Sequence, residues 1–595
     1  MKTETNYALK AGAGTQEIVF PDAMFPVEGF NGQVHINPFV RILLLEQGTK
    51  AAIVSYEMVN VPADVIAQVK TIVSEKTDTS VHHVWVHATH AITTPHAPDN
   101  TVKRSLFVEA MVNAAAAAAD QAAATFQPAK LGVATGICNV NANRDIKIGD
   151  NWYYGLGSTM PSNKKMTILC FRGLNGDAIA FFISYGIKPT AIDNVEMDTV
   201  TRKISSDVPG IACRMMEEKF HAPSMFCMPA AGDQIPRETA MYWEMDADGQ
   251  AVEVKLTVAE GVEIVERLGR EMGNAALAIV DSITEFMDEE QPIVSADTSF
   301  TWPNKSGDGE VTTAVRGITV GNNIALVGLK PEINALTELE LLEASPYKHT
   351  LILSFLDGDS KYMPDEKSHD FQTWEWKRSG TAKGSAEKFV ETAVNLLKRI
   401  RAGETIVVTE LHSENESNNV EKTRIRMGGI EWIVLDKQDD KTLVVSAKIL
   451  EKRAYHGPGG AITWENSEIR TYLNREFFDK TFTAEEKGAI VETRIENKSN
   501  SQYGVAGGNA TMDRIFLLSL AEAERYFAGG VELLRGIDIE SDEVVWWHLR
   551  SPGEAADVAA SVNAIGLIDY HGVYDGVTDS TGGVRPAMWV TGLSD

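Results

Sequence analysis

From Ala11 to about Ala402 the chain alternates short apolar runs with longer stretches of helical spacing. In Val84-Trp85-Val86-His87-Ala88 the side chains alternate with a period of two, the pattern of a half-buried strand. Strands are predicted at Arg41–Glu46, Ala51–Tyr56, Val84–Ala88, Met166–Arg172, Ala178–Ser184, Ser224–Met228 and Ile324–Gly328. Helices are predicted at Ala63–Glu75, the alanine-rich Leu106–Phe126, Ser206–Lys219, Val258–Phe286 and Ala386–Arg401. Such alternation predicts a layered α/β or α+β domain.

The pattern then breaks. Glu410–Lys422 reads ELHSENESNNVEK, almost without apolar residues, as a linker does. The expected division is a first domain over 1–402, a linker over 403–424 and a second domain over 425–595. The second has short strand-like runs at Ile430–Leu435 and Thr442–Ile449. Its few helices are expected at Ser467–Phe477, Ala484–Ile490 and Ser519–Tyr526.

Composition narrows the function. The 595 residues are too many for one core. The net charge of −28 offers phosphates no basic stripe, which argues against nucleic acid and against an anionic membrane surface. MKTETNYALKAGAG has no apolar signal core and no long apolar run follows, so no membrane insertion and a cytoplasmic location are expected. Cys138, Cys170, Cys213 and Cys227 show no CxxC spacing and read as buried thiols.

Chemistry gathers first at Val81–Pro98, which holds five of the thirteen histidines. A strand there runs into Ile92-Thr93-Thr94-Pro95-His96-Ala97-Pro98, where the prolines end regular pairing. Polar side chains on a loop at the mouth of a strand suit a site, and imidazole is the commonest metal ligand. Any single histidine is better explained by a bond to backbone at the sheet edge, and only His90 has further support.

Several segments together resemble the neutral/alkaline ceramidase family. They are Gly12-Ala13-Gly14, Asn37-Pro38, Arg41–Glu46, Ala88-Thr89-His90, Ile204–Gly210, Ala230–Pro236, Pro331-Glu332 and Ala344–Thr350. The resemblance spans nearly all of 11–402 and implies that fold, with a zinc held by two histidines, a glutamate and a tyrosine, and a serine nucleophile. It places the first histidine on His90 and the glutamate on Glu332. The second histidine falls on Lys188, the tyrosine on Asp359 or Tyr362, and the serine of a Gly-Asp-x-Ser-Pro motif on Ile235, after Asp233. An ammonium ligates no metal while protonated, and isoleucine has no nucleophilic atom. Three readings stay open. Lys188 replaces the metal's charge in a salt bridge with Glu332 or Asp359; a rearranged set of His90, His96, Glu332 and Asp359 binds zinc; or Lys188 is itself a base or Schiff-base amine. Lys188 and Asp233 are the catalytic candidates. Arg144, Asp145 and Arg237 line the same mouth or a solvated rim.

Gly428–Leu593 resembles a bacterial module of C-type-lectin-like α+β fold, akin to formylglycine-generating enzyme domains and to the variable proteins of diversity-generating retroelements. The matching residues are Gly429–Asp436, Thr463–Ser467, Ile469–Asn474, Phe516–Ser519, Trp546–Gly553 and Gly582–Trp589. Between the last two lies a frame of small residues. It carries Asp557, Ser561, Asn563, Ile565, Leu567, Asp569, Tyr570, His571, Tyr574, Asp579 and Ser580, a mixed set suited to recognition. The resemblance implies that retroelements rewrite this stretch. Arg550 and Arg585 are expected to hold the loop frame by internal hydrogen bonds. The domain has no cysteine for a sulfatase-modifying reaction and no dense oxygen cage for calcium.

The expected protein is therefore a two-domain ligand-recognition protein for a protein, peptide or glycan. Its ceramidase-like domain has lost amidase activity. The rival is a zinc-dependent hydrolase of amide or ester bonds with a targeting module. A homo-oligomer of structural parts is the third alternative.

Overall fold

The structure is a computed structural model that describes residues 9–98, 100–192, 202–287, 291–305, 310–358, 361–404, 424–438, 441–500, 505–527, 536–539, 544–562, 568–569, 572 and 576–591. The chain divides into two compact units, Met1–Leu411 and His412–Asp595. Much of the expected linker, 405–423, lies outside the described residues.

The first unit is a mixed α/β stack of four layers. Its main sheet runs Ser224–Cys227, Ala178–Ser184, Lys165–Gly173, Gln127–Ile137, Lys10–Glu17, Phe39–Gln47, Thr49–Tyr56, Val84–Ala88. The interior pairs are antiparallel, and the two outermost pairs are parallel. Both faces are buried, which is why the central strands read as continuous apolar runs. Ile42, Leu44, Val54 and Val86 face the core beneath the helices Ala63–Thr77, Thr101–Ala124, Asp207–Phe220 and Val258–Asp281. Leu43, Leu45, Ile53 and Trp85 face the second sheet, Ile293–Pro303, Glu310–Val320, Ile324–Gly328 and His349–Leu353. Helix Ser385–Arg401 closes the far side of that sheet through Phe389, Leu396 and Leu397. Each such side chain taken from water contributes roughly 1.5–3 kcal/mol.

Two main-sheet strands, Lys10–Glu17 and Gln127–Ile137, were not among the predicted ones. Their alanines and glycines carry little strand propensity. Packing selects them instead. A Cβ on Gly12 would stand 2.3 Å from the Ala122 carbonyl oxygen, and one on Gly14 2.0 Å from that of Ala118. The alanine-rich helix therefore lies backbone to backbone on a strand that has shed its side chains. The predicted helix Val258–Phe286 ends earlier, at Asp281, where Ser282 caps it.

The second unit is built from two five-stranded sheets. The first runs Arg424–Met427, Ile430–Gln438, Lys441–Ser446, Ala587–Thr591, Ile490–Val491; the second runs Glu451–Lys452, Gly583–Val584, Trp547–Pro552, Ala559–Val562, Ile568–Asp569. Trp432, Trp464 and Trp547 are almost fully buried among apolar side chains. Trp464 Nε1 donates to Asp513 Oδ2 at 2.9 Å, and Arg470 Nε donates to Oδ1 at 2.7 Å, so the buried carboxylate is satisfied. Among the described residues no helix is long and apolar enough to cross a membrane.

Candidate functional site

Three loops that follow strands converge on one buried centre. His90 lies just beyond Val84–Ala88 with a left-handed backbone (φ 57°). Lys188 follows Ala178–Ser184 and is pinned by its N–H donating to the Gln234 carbonyl at 3.0 Å. Glu332 forms a short strand parallel to Tyr362–Met363, which sets Glu332 opposite Tyr362.

At that centre the Lys188 Nζ donates to Glu332 Oε2 and to the Tyr362 hydroxyl, each at 2.8 Å. The Lys188 and Glu332 side chains are each 1% exposed. His90 Nδ1 lies 3.6 Å from the same carboxylate oxygen, too far for a hydrogen bond. Burial, then the charges of Lys188 and Arg144, hold the His90 imidazole well below its usual pKa, so it is neutral. Phe355 packs edge-on against its ring.

The arrangement does not fit zinc. A tetrahedral site needs lone pairs about 2.0–2.3 Å from the ion. Here an ammonium, with three donors and no lone pair, stands where a cation would bind the glutamate and the tyrosine. Among the described residues, His90, His96 and Glu332 do not form a metal-binding group. His96 turns to the surface, where its Nδ1 is 3.0 Å from Glu28 Oε2; Asp359 lies outside the described residues. Among the described residues no three histidine, cysteine, aspartate or glutamate side chains come close enough to hold a metal ion. His87 has a backbone role: its ring bridges the Ser354 carbonyl and the Met228 N–H, with burial lowering its pKa to about 4.

Asp233 is held in a buried hydrogen-bond network. It accepts from Asn143 Nδ2, Gln234 Nε2 and the Ala335 N–H at 2.7, 3.0 and 2.9 Å, and burial raises its pKa to about 7. Ile235 is wholly buried in a short strand against Ala142. Arg237 meets Glu271 and Glu238 on the surface.

Above Lys188 opens a cavity of ≈ 360 Å³. Its wall includes Arg144, Tyr154, Trp243, Tyr362, Trp374 and Arg378. Tyr154, Trp243, Trp374 and Arg378 carried no expectation as cavity wall. The only signal was the spacing Trp374-x-x-x-Arg378, which puts ring and guanidinium on one helical face.

In the second unit Asp557 and Ser580 are exposed and Asp579 is half-buried. The Val577 N–H donates to the Asp557 carbonyl at 3.0 Å, so the segments carrying these residues are joined. Asp569 is half-buried. Ser561 departs from the expected surface: it is 2% exposed, in a strand paired on both sides, to His548 and Asp569. Asn563, Ile565, Leu567, Tyr570, His571 and Tyr574 lie outside the described residues. Arg550 donates to the Leu517 carbonyl at 2.7 Å and pairs with Glu522. Burial works to raise the Glu522 pKa, but Arg550 and the Ser519 cap outweigh it and hold the carboxylate low. Arg585 Nε donates to the Ser446 carbonyl at 3.0 Å, and burial lowers its pKa to about 10.

Residues 439–592 match a family described as a domain of unknown function, DUF6273. No curated protein matches the chain. Among solved structures, the neutral ceramidase from Pseudomonas aeruginosa is similar, with a TM-score of 0.52 and 13% identity over 74% of this chain and 84% of that one. A ceramidase complexed with C2 gives the same score and identity over 74% and 85%. The first unit is thus ceramidase-like in fold.

Proposed function

We propose that this chain is a ligand-recognition protein in which a ceramidase-like unit has given up metal hydrolysis and serves as a platform. The supporting observation is the Lys188 ammonium, which bridges Glu332 and Tyr362 with no room or lone pair for zinc. Ile235 leaves the expected nucleophile position without a reactive atom. For the second unit we favour a C-type-lectin-like fold that presents the 554–581 stretch to a protein, peptide or glycan. Asp557 and Ser580 at its surface, on a frame anchored by buried Trp547, Arg550 and Arg585, support that role.

Elemental analysis of the purified chain, combined with turnover of a fluorogenic N-acyl amide, tests the platform. The expected result is substoichiometric zinc and no turnover. Stoichiometric zinc lost in His90→Ala, with amide cleavage, would establish the hydrolase instead. For the display role, the DNA beside the gene decides. A near-copy of its 3′ end differing only at adenine positions, next to a reverse transcriptase, is expected if the stretch is diversified.

A further inference from the structure

We propose that the cavity above Lys188 binds a small anion with a flat body, its charge held by Arg378 and its body held among Tyr154, Trp243 and Trp374. The inference presupposes that lysine, and not a metal, fills the centre below.

Charge pairing inside the wall leaves one cation over. Lys188 is neutralised by Glu332, and Arg144 by Glu375, whose Oε1 accepts from Arg144 Nε at 2.7 Å. Asp145, next to Arg144 in the chain, has its pKa pushed well above the usual carboxylate range by burial and then by Glu375. Glu253 on the rim faces Lys255 at 3.4 Å. Arg378 makes no ion pair among the described residues. Its guanidinium lies over Trp374, 3.2 Å from the ring centroid, and burial followed by Arg144 holds its pKa below the ordinary value. A lone guanidinium at a cavity mouth, in a protein of net charge −28, is an uncompensated positive site.

Arg144 stiffens the same wall: it is 3% exposed, its Nε and Nη2 each lie 2.7 Å from Glu375 Oε1, and it lies against the rings of Tyr154 and Tyr362. The volume is at the small end for ligand pockets, and aromatic walls with a few convergent charged groups are their usual lining. Guanidinium pairs with planar carboxylate or with phosphate in a forked geometry, so the anion's source is either.

The test is titration of the full chain with benzoate, phenyl phosphate, inorganic phosphate and benzamide, followed by tryptophan fluorescence and calorimetry. Saturable binding is expected for benzoate or phenyl phosphate, and which of the two binds more tightly identifies the anion. Inorganic phosphate and benzamide are each expected to bind at least about tenfold more weakly, as when a stacking surface or a charged hydrogen bond is lost. Arg378→Ala, an exposed site, is expected to weaken benzoate about tenfold while Arg378→Lys keeps part of the affinity. Benzamide binding as well as benzoate, or Arg378→Ala binding benzoate like the parent, overturns the proposal. So does the absence of saturation by any anion. Zinc measured on the same sample separates the two proposals: a zinc-free protein indifferent to anions overturns this one alone.

Discussion

Arg144 and Glu375 meet across 231 residues of chain, Nε to Oε1 at 2.7 Å, with side-chain exposures of 3% and 0%. This pair ties helix Trp374–Arg378 to the loop that carries Arg144, and so closes one wall of the cavity. Removing one partner strands a buried charge. Glu375→Ala is expected to destabilise the first unit by about 3–5 kcal/mol, read as a lower denaturant midpoint. A loss below about 1 kcal/mol, the worth of an exposed pair, would show that the wall is not built on this contact.

Lys188 is expected to follow the same rule. Lys188→Ala leaves Glu332 buried without its cation and should cost about 3–5 kcal/mol, whereas Lys188→Met with Glu332→Leu should recover most of that. Chemical denaturation of the three variants gives the comparison. A double variant as unstable as the single one refutes simple charge compensation.

Gly12 tests the contact between strand and helix. Gly12→Ala must push against the Ala122 carbonyl, and an overpacking loss of about 1–3 kcal/mol is expected. Gly488→Ala, in helix Ala484–Ala489, meets nothing within 4 Å and should stabilise slightly, since alanine is the better helix former. Melting temperatures of both variants check the contrast.

Two wholly buried acids predict how stability changes with pH. Burial raises the pKa of Asp233 from 3.8 to about 7, and that of Glu338 from 4.5 to about 7. An acid with a raised pKa in the fold binds more protons there than when unfolded. Its stabilisation is complete below the unfolded pKa and is lost as pH rises through about 7. The melting temperature should therefore fall from about pH 5 to about pH 8, and fall less in Glu338→Gln. A rise over that interval would contradict the assignment.

The second unit should tolerate change where it presents side chains and resist it where it does not. Asp557→Arg and Ser580→Tyr are expected to shift stability by no more than about 0.5 kcal/mol, as surface substitutions do. Ser561→Tyr, in a strand buried on both sides, should unfold the unit or cost more than about 3 kcal/mol. Thermal melts of the three variants decide.

How much was legible in the sequence follows from how local each cause is. Val84–Ala88, Ala178–Ser184 and Ile324–Gly328 are found where they were expected, because a strand buried on both faces writes its own apolar run. Lys10–Glu17 was hidden, since its cause is the alanine helix lying on it. Lysine in Gly186-Ile187-Lys188-Pro189 set this segment apart from the histidine the ceramidase resemblance implies before any geometry. His96 was grouped with His90 by nearness in sequence, but it emerges at the surface against Glu28. Arg144 was expected at the mouth, but no pattern links it to Glu375, or Trp243 to Trp374, so most of the cavity wall became visible only in three dimensions. Ser561 read as a display position because it is one of the mixed side chains interleaved in a frame of small residues, and strand pairing on both sides took it inside.

A positive charge supplied by Lys188 differs from one supplied by an ion in a simple respect: it is attached to the chain. It cannot dissociate, be stripped by a chelator or be exchanged for a competing cation. The ion pair with Glu332 is in place as soon as the polypeptide folds, so metal starvation should leave this centre's contribution to stability unchanged.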